Sequence, residues 1–187
     1  VLGLGFFKCY INGEYINPDT FLPLSSDFEP TCDPVDEIIS AHRIYVPTFD
    51  ITPFVRNGKN SIAIHFGGGW YTFDNHVFGL PKAIYCIIAE CENGISRFVS
   101  DENCRVGESW VKDYNFVRYE HWDCTEYENC FAPDFDDSSW KNAVSAENPE
   151  TEYCSTDCPC DKLIKELPVA KIGESDSGIV YDCGENT

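Results

Sequence analysis

Short apolar runs, broken by clusters of Gly, Pro, Asn and Asp, fill most of the chain. Runs of this length with turn residues between them predict strands and an all-β sandwich or barrel. Phe6 to Ile11 predicts the first strand. Asn12-Gly13 follows, and Glu14-Tyr15-Ile16 resumes the alternation. A type I′ hairpin needs positive φ at both central residues, which Asn-Gly supplies. Residues 17–40 are rich in Pro, Asp and Ser without a period and read as a long loop. Arg43 to Ile51 is strand-like, and Thr52-Pro53 suits a one-turn helix with Thr52 as cap, ended by Asn57-Gly58.

Ser61 to Phe66 predicts a buried strand, followed by Gly67-Gly68-Gly69, whose freedom of φ presents Trp70 and Tyr71 sharply. Lys82 to Cys91 is the longest apolar run. Asn93-Gly94 gives a second hairpin signal, with Ile95 to Val99 returning. Asn115 to Trp122 alternates like one strand, and Asp134 to Trp140 reads as Asx turns leading into a short helical turn. Residues 145–162 are polar and read as a linker, with strands expected at Leu163–Lys171 and Gly178–Tyr181. No long amphipathic helix and no repeat is visible.

Composition narrows the partners. The 187 residues carry 13 basic and 32 acidic side chains, a net charge of −19. Such a surface repels phosphate backbones and anionic lipid, so nucleic acid and membrane are excluded as expected partners, while neutral sugars and cations stay open. No apolar run is long enough to span a bilayer, and no signal peptide is visible. The chain opens inside an apolar run at Val1 and has no Met, as a piece of a longer protein would. Its 11 cysteines are scattered through strand-like runs and read as buried thiols in a reducing compartment, cytoplasmic rather than secreted.

Several segments, in order, resemble the amino-terminal module of bacterial α-L-rhamnosidases of glycoside hydrolase family 78. They are Gly3 to Gly13, Tyr45 to Thr52, Gly58 to Ile64 with Gly67 to Tyr71, Phe135-Asp-Asp-Ser-Ser-Trp-Lys141, and Val180 to Asn186. The resemblance implies an antiparallel jelly-roll β-sandwich of galactose-binding-domain type over residues 1–144. Residues 145–187 would be a linker and the first strands of a following sandwich. It further implies a non-catalytic accessory domain of an inverting glycosidase that removes terminal α-L-rhamnose. The implied partners are the rest of the same polypeptide, namely the second sandwich and a helical catalytic barrel, and rhamnose-containing glycans. Gly68 stands where the family has an acidic residue, Leu22-Pro23-Leu24 where it has Gly-Trp, Cys183 where it has an aromatic and Glu185 where it has Gln.

Candidate chemistry is sparse. Inverting hydrolysis needs two carboxyl groups about 6.5–9.5 Å apart, and scattered surface acids ordinarily only solvate a face, so no catalytic residue is expected here. Trp70 and Tyr71 after the glycine turn suit stacking on a pyranose, with Asp74, Asn75 and His76 as hydrogen-bonding neighbours; the plainer reading is a packed core lid. No cofactor is expected, although calcium stays open. Asp134–Asp137 and Asp74-Asn75 offer oxygens, yet lack EF-hand spacing and read as Asx turns. Cys154, Cys158 and Cys160 are three thiols without the paired knuckles of a zinc site, so no metal ligand is expected. Alternatives to the accessory role are a calcium-assisted L-rhamnose-binding module and a jelly-roll adhesion or interaction domain.

Overall fold

The computed structural model describes residues 1–16, 20–21, 43–69, 82–115, 118–125, 129–147, 152–155, 161–162 and 164–184. Among them the strands are β1 (Leu2–Leu4), β2 (Phe6–Ile11), β3 (Glu14–Tyr15), β4 (Thr20–Phe21), β5 (Arg43–Val46), β6 (Ile62–Gly67), β7 (Lys82–Ile84), β8 (Cys86–Cys91), β9 (Gly94–Val99), β10 (Arg105–Val106), β11 (Val111–Asn115), β12 (Tyr119–Trp122), β13 (Lys141–Asn142), β14 (Glu152–Ser155), β15 (Asp161–Lys162), β16 (Ala170–Ser175) and β17 (Gly178–Asp182). The one helical element that lies wholly within the described residues is a single 3-10 turn, Thr52–Phe54. The all-β expectation is met.

β2 shows why. Its burial alternates, with Phe7, Cys9 and Ile11 buried and Phe6 and Lys8 outward, the period of a strand with one face on a core. β3 pairs on one edge and β6 on the other, both antiparallel. The register sets Phe7 against Phe66, Cys9 against Ile64 and Ile11 against Ile62. Cross-strand partners share a face. Cys9, Ile11 and Ile16 form one core cluster, on which Val1, Phe49, Ile51, Phe54, Ile62 and Ile64 pack. A second cluster joins Leu2 and Leu4 to Ile44, which has no exposure at all. β1 pairs with β7, while β5 pairs with β14 in the parallel sense.

The first hairpin forms as read. Asn12 and Gly13 take φ of 52° and 86°, and Ile11 faces Glu14 across the turn. The second differs. Cys91 faces Gly94, the turn residues are Glu92 and Asn93, and the positive φ, 109°, falls on Gly94 itself. The turn therefore sits one residue earlier than Asn-Gly suggests, with the positive φ on the glycine that opens the returning strand.

Other elements depart from the sequence reading for identifiable reasons. Lys82 to Cys91 is two strands, because Tyr85 exchanges bonds with Ser100 and the chain passes from β1's side to β9's. Asn115 to Trp122 is split by a turn in which the Arg118 N–H donates to the Asn115 carbonyl at 2.8 Å. The stretch has no Gly or Pro to mark it. Thr52 does not cap the helical turn: Ile51 occupies the cap position without a side-chain bond, and the Thr52 N–H donates to the Asp50 carboxylate at 2.9 Å. Asp134 to Trp140 makes turns but no helix. The Asx bond expected there is present, from the Ser138 N–H to Asp136. Of the strand expected at Leu163–Lys171, residues 164–169 are outside any strand and β16 begins at Ala170; Pro168 in this stretch has no N–H to give to a ladder. The stretch 145–162 contains β14 and β15. Of the loop read at 17–40, only Thr20–Phe21 is described, paired with Asp161–Lys162.

The cysteines also need correcting. Cys9 is buried, but Cys86, Cys91 and Cys124 are exposed and Cys104, Cys154 and Cys183 intermediate, all unbridged. Cysteines placed on the outward side of a strand share the hydropathy of core positions but not their burial.

Candidate functional site

Trp70, Tyr71, Asp74 and Asn75, with His76, lie outside the described residues. What is described is the corner that delivers the chain to them. Gly68 and Gly69 are buried, and Gly69 has φ of 48°. A Cβ on Gly69 would come within 3.0 Å of the Phe6 ring, and one on Gly5 within 2.1 Å of the Gly67 carbonyl oxygen. Two backbones therefore cross here at a separation that only glycines allow. The Gly69 N–H donates to the Tyr114 hydroxyl at 3.1 Å, and the Tyr114 ring lies over Gly67. The glycine run predicted a sharp corner; Phe6 and Tyr114, distant in sequence, hold it.

Beside the corner is an aromatic group that the sequence did not single out. The outward face of β2 and β6 carries Lys8, Tyr10 and His65, with Lys8 opposite His65 and Tyr10 opposite Ala63. Tyr10 stacks on Phe131 with centroids 3.9 Å apart and planes 5° from parallel. His65 lies 4.6 Å from Trp110, and Trp110 meets Phe131 edge-on at 5.7 Å. Lys8 sits 5.7 Å over the Tyr15 ring. No periodic signal links these positions, because Trp110 and Phe131 come from loops.

His65 Nε2 is 2.8 Å from the Ser109 hydroxyl, which also accepts the Val111 N–H at 3.0 Å. Burial, and then the charge of Lys8, push the imidazole below its ordinary range, which favours its neutral form. A serine beside a neutral histidine is two parts of a hydrolytic triad. Among the described residues no carboxylate hydrogen-bonds this histidine to orient it, and the Ser109 oxygen is tied into its own loop. The pair fixes the loop before β11 against the sheet.

Asp136 is bonded to Ser138, and those bonds hold its carboxyl below the usual range. Trp140, at the end of that acidic run, packs on Gly107, where a Cβ would meet the indole at 2.2 Å, and lies 5.3 Å from Phe135. Cys158 and Cys160 lie outside the described residues; Cys154, in β14, is half-buried.

Comparison with known proteins agrees at the levels of sequence and fold. Residues 1–165 match the family model described as the alpha-L-rhamnosidase N-terminal domain. The alpha-L-rhamnosidase of Streptomyces avermitilis is 28% identical over 194 residues, taking in 98% of this chain and 18% of the relative. That of Alteromonas sp. (strain LOR) is 24% identical over 201 residues, 100% of this chain and 20% of the relative. Among solved structures, the alpha-L-rhamnosidase from Dictyoglumus thermophilum superimposes with a TM-score of 0.78 at 29% identity, covering 99% of this chain and 20% of that one. The Streptomyces avermitilis enzyme in complex with L-rhamnose gives 0.79 at 26% identity, over 99% and 18%. The chain thus spans about a fifth of the relatives it matches.

Proposed function

Since this chain belongs to the α-L-rhamnosidase N-terminal domain family, we propose that it serves as a non-catalytic β-sandwich domain of an α-L-rhamnosidase. On this reading the hydrolysis of terminal α-L-rhamnose takes place on another domain of the same polypeptide. The observation that carries the proposal is the extent of the match: 98–100% of this chain aligns with only 18–20% of each relative. The aromatic group around His65 supports it, because His65 Nε2 and the Ser109 hydroxyl bond each other and Ser109 also accepts the Val111 N–H. The test is hydrolysis of an aryl α-L-rhamnoside. The isolated chain should release no rhamnose above blank, and the full-length protein should; release by the isolated chain overturns the proposal.

A boundary belongs with this reading. The division read at residue 144 leaves β14 in the second part, yet β14 is in register with β5. The family match runs to residue 165, and β16 and β17 pair with one another. We place the linker between Lys162 and Ala170, with β16–β17 opening the next unit.

A second reading, in which this domain itself holds rhamnose, is raised by the L-rhamnose complex of the Streptomyces avermitilis relative, of which this chain matches 18%. Calorimetry with L-rhamnose, with and without calcium, separates the two: heat at millimolar sugar, lost in Trp70→Ala, supports binding here.

A further inference from the structure

The hairpin β8–β9 leaves an apolar face open. Its register pairs Cys86 with Val99, Ile88 with Arg97 and Glu90 with Ile95. Alternation puts these six side chains on one face. Ile88 is 62% exposed, Ile95 74% and Val99 58%, and Cys86 is exposed beside them. On the opposite face Ile87, Ala89 and Ser96 are half-buried, while Phe98, opposite Ile87, is 55% exposed, so that face is only partly packed. Among the described residues β8 and β9 pair only with each other. An isolated two-stranded hairpin is marginal in water unless one face packs on something.

We propose that this face, Cys86-Ile88-Ile95-Val99, is where the remainder of the longer polypeptide docks. The inference rests on the accessory-domain reading above. Two observations choose the occupant. The matching relatives are about five times as long as this chain, so most of their mass is available to cover such a face. A second copy of this chain is disfavoured, because each copy carries a net charge of −19. The face itself is balanced, with one Arg97 and one Glu90 among the apolar groups. A neutral, apolar docking surface on a strongly acidic domain suits an uncharged apolar strip on a covalently attached neighbour.

Cys86 reports on the face and Cys91 serves as control, since Cys91 is also exposed but pairs with Gly94 on the opposite side. Full-length protein is pulsed with iodoacetamide, and each cysteine's rate is normalised to its rate in urea. Cys86 should react at least about tenfold more slowly than Cys91, the protection that a packed interface gives over an open surface. In the isolated chain the two should react alike. Equal normalised rates in the full-length protein overturn the proposal, and this comparison does not require the isolated chain to fold. Ile95→Asp in the full-length protein should restore Cys86 reactivity; continued protection overturns the docking. Sedimentation of the isolated chain as a dimer with Cys86 protected also overturns it, in favour of self-association. Rhamnoside hydrolysis by the same full-length sample is scored separately. Protection without hydrolysis sinks the accessory reading and keeps the face, whereas hydrolysis with a reactive Cys86 sinks the face and keeps the reading.

Discussion

Asn12 shows how much one side chain can organise. Its Nδ2 donates to the Phe54 carbonyl and to Asn60 Oδ1, both at 2.8 Å, and its Oδ1 accepts the Ser61 N–H at 3.0 Å. Asn60 in turn bonds Arg56 and Gly58, so the first hairpin and the loop before β6 are one network. Asn12→Ala loses these bonds and strains a positive φ; the expected cost is about 2–3 kcal/mol, read from the urea midpoint. Asn12→Gly relieves the φ and should cost less; equal losses would show that the bonds matter alone. His65 gives a pH prediction. Burial lowers its pKa in the folded state, so the unfolded chain binds the proton more readily. Its contribution to stability is therefore complete above the unperturbed value of 6.5 and is lost as pH falls toward the lower folded value. His65→Gln should flatten the dependence of melting temperature on pH in that window; an unchanged slope would refute it. Cys9 works in the opposite sense: burial pushes its thiol up to about 11, so it stays protonated in the core.

Hairpins are the elements from which this fold is built, and their turns differ in kind. The β2–β3 turn spends its positive φ on Asn12 and Gly13, whereas β8–β9 and β16–β17 each spend it on the glycine that begins the returning strand, at 109° and 140°. Gly94 and Gly173 both have empty space where a Cβ would stand, but only Gly94 has a positive φ. Gly94→Ala should therefore cost about 1 kcal/mol from backbone strain alone, while Gly173→Ala should be neutral or slightly stabilising. Thermal unfolding of the two variants separates conformation from crowding, and similar losses would contradict the distinction. The ordering of turns was legible in Asn12-Gly13 and approximately so in Asn93-Gly94. The turn after Asn115 was not, because its signal was a single residue and the alternation continued across it.

At the scale of the whole molecule, burial is uneven. Among the described residues the buried apolar side chains gather around β1, β2 and β5. By contrast, Ile172, Ile179, Val180 and Tyr181 of β16–β17 are about half exposed or more. Two strands paired only with each other gain little from the rest of the chain. A chain truncated after Glu166 should accordingly melt within about 2 °C of the full 187 residues, and the amides of β16–β17 should exchange without protection in the isolated chain. A drop of several degrees would mean that the hairpin packs on the first sandwich. In the full-length protein the same amides should gain protection.

Local chemistry was enough to determine the all-β class, the first hairpin, the strand Phe6 to Ile11 and, through spaced motifs, the family. Each depends on neighbours in sequence: a period of two, a turn dipeptide, a run of glycines. The tertiary structure alone decided which apolar residues are core. Ile44 and Ile95 are equally hydrophobic, yet one is sealed between β1 and its neighbours and the other stands in water. It also decided that His65, Ser109, Trp110, Phe131 and Tyr10 meet, and that Lys82 to Cys91 serves two sheets. The reason is that burial and contact depend on what the chain brings back from a distance, and hydropathy along the sequence carries no record of that return.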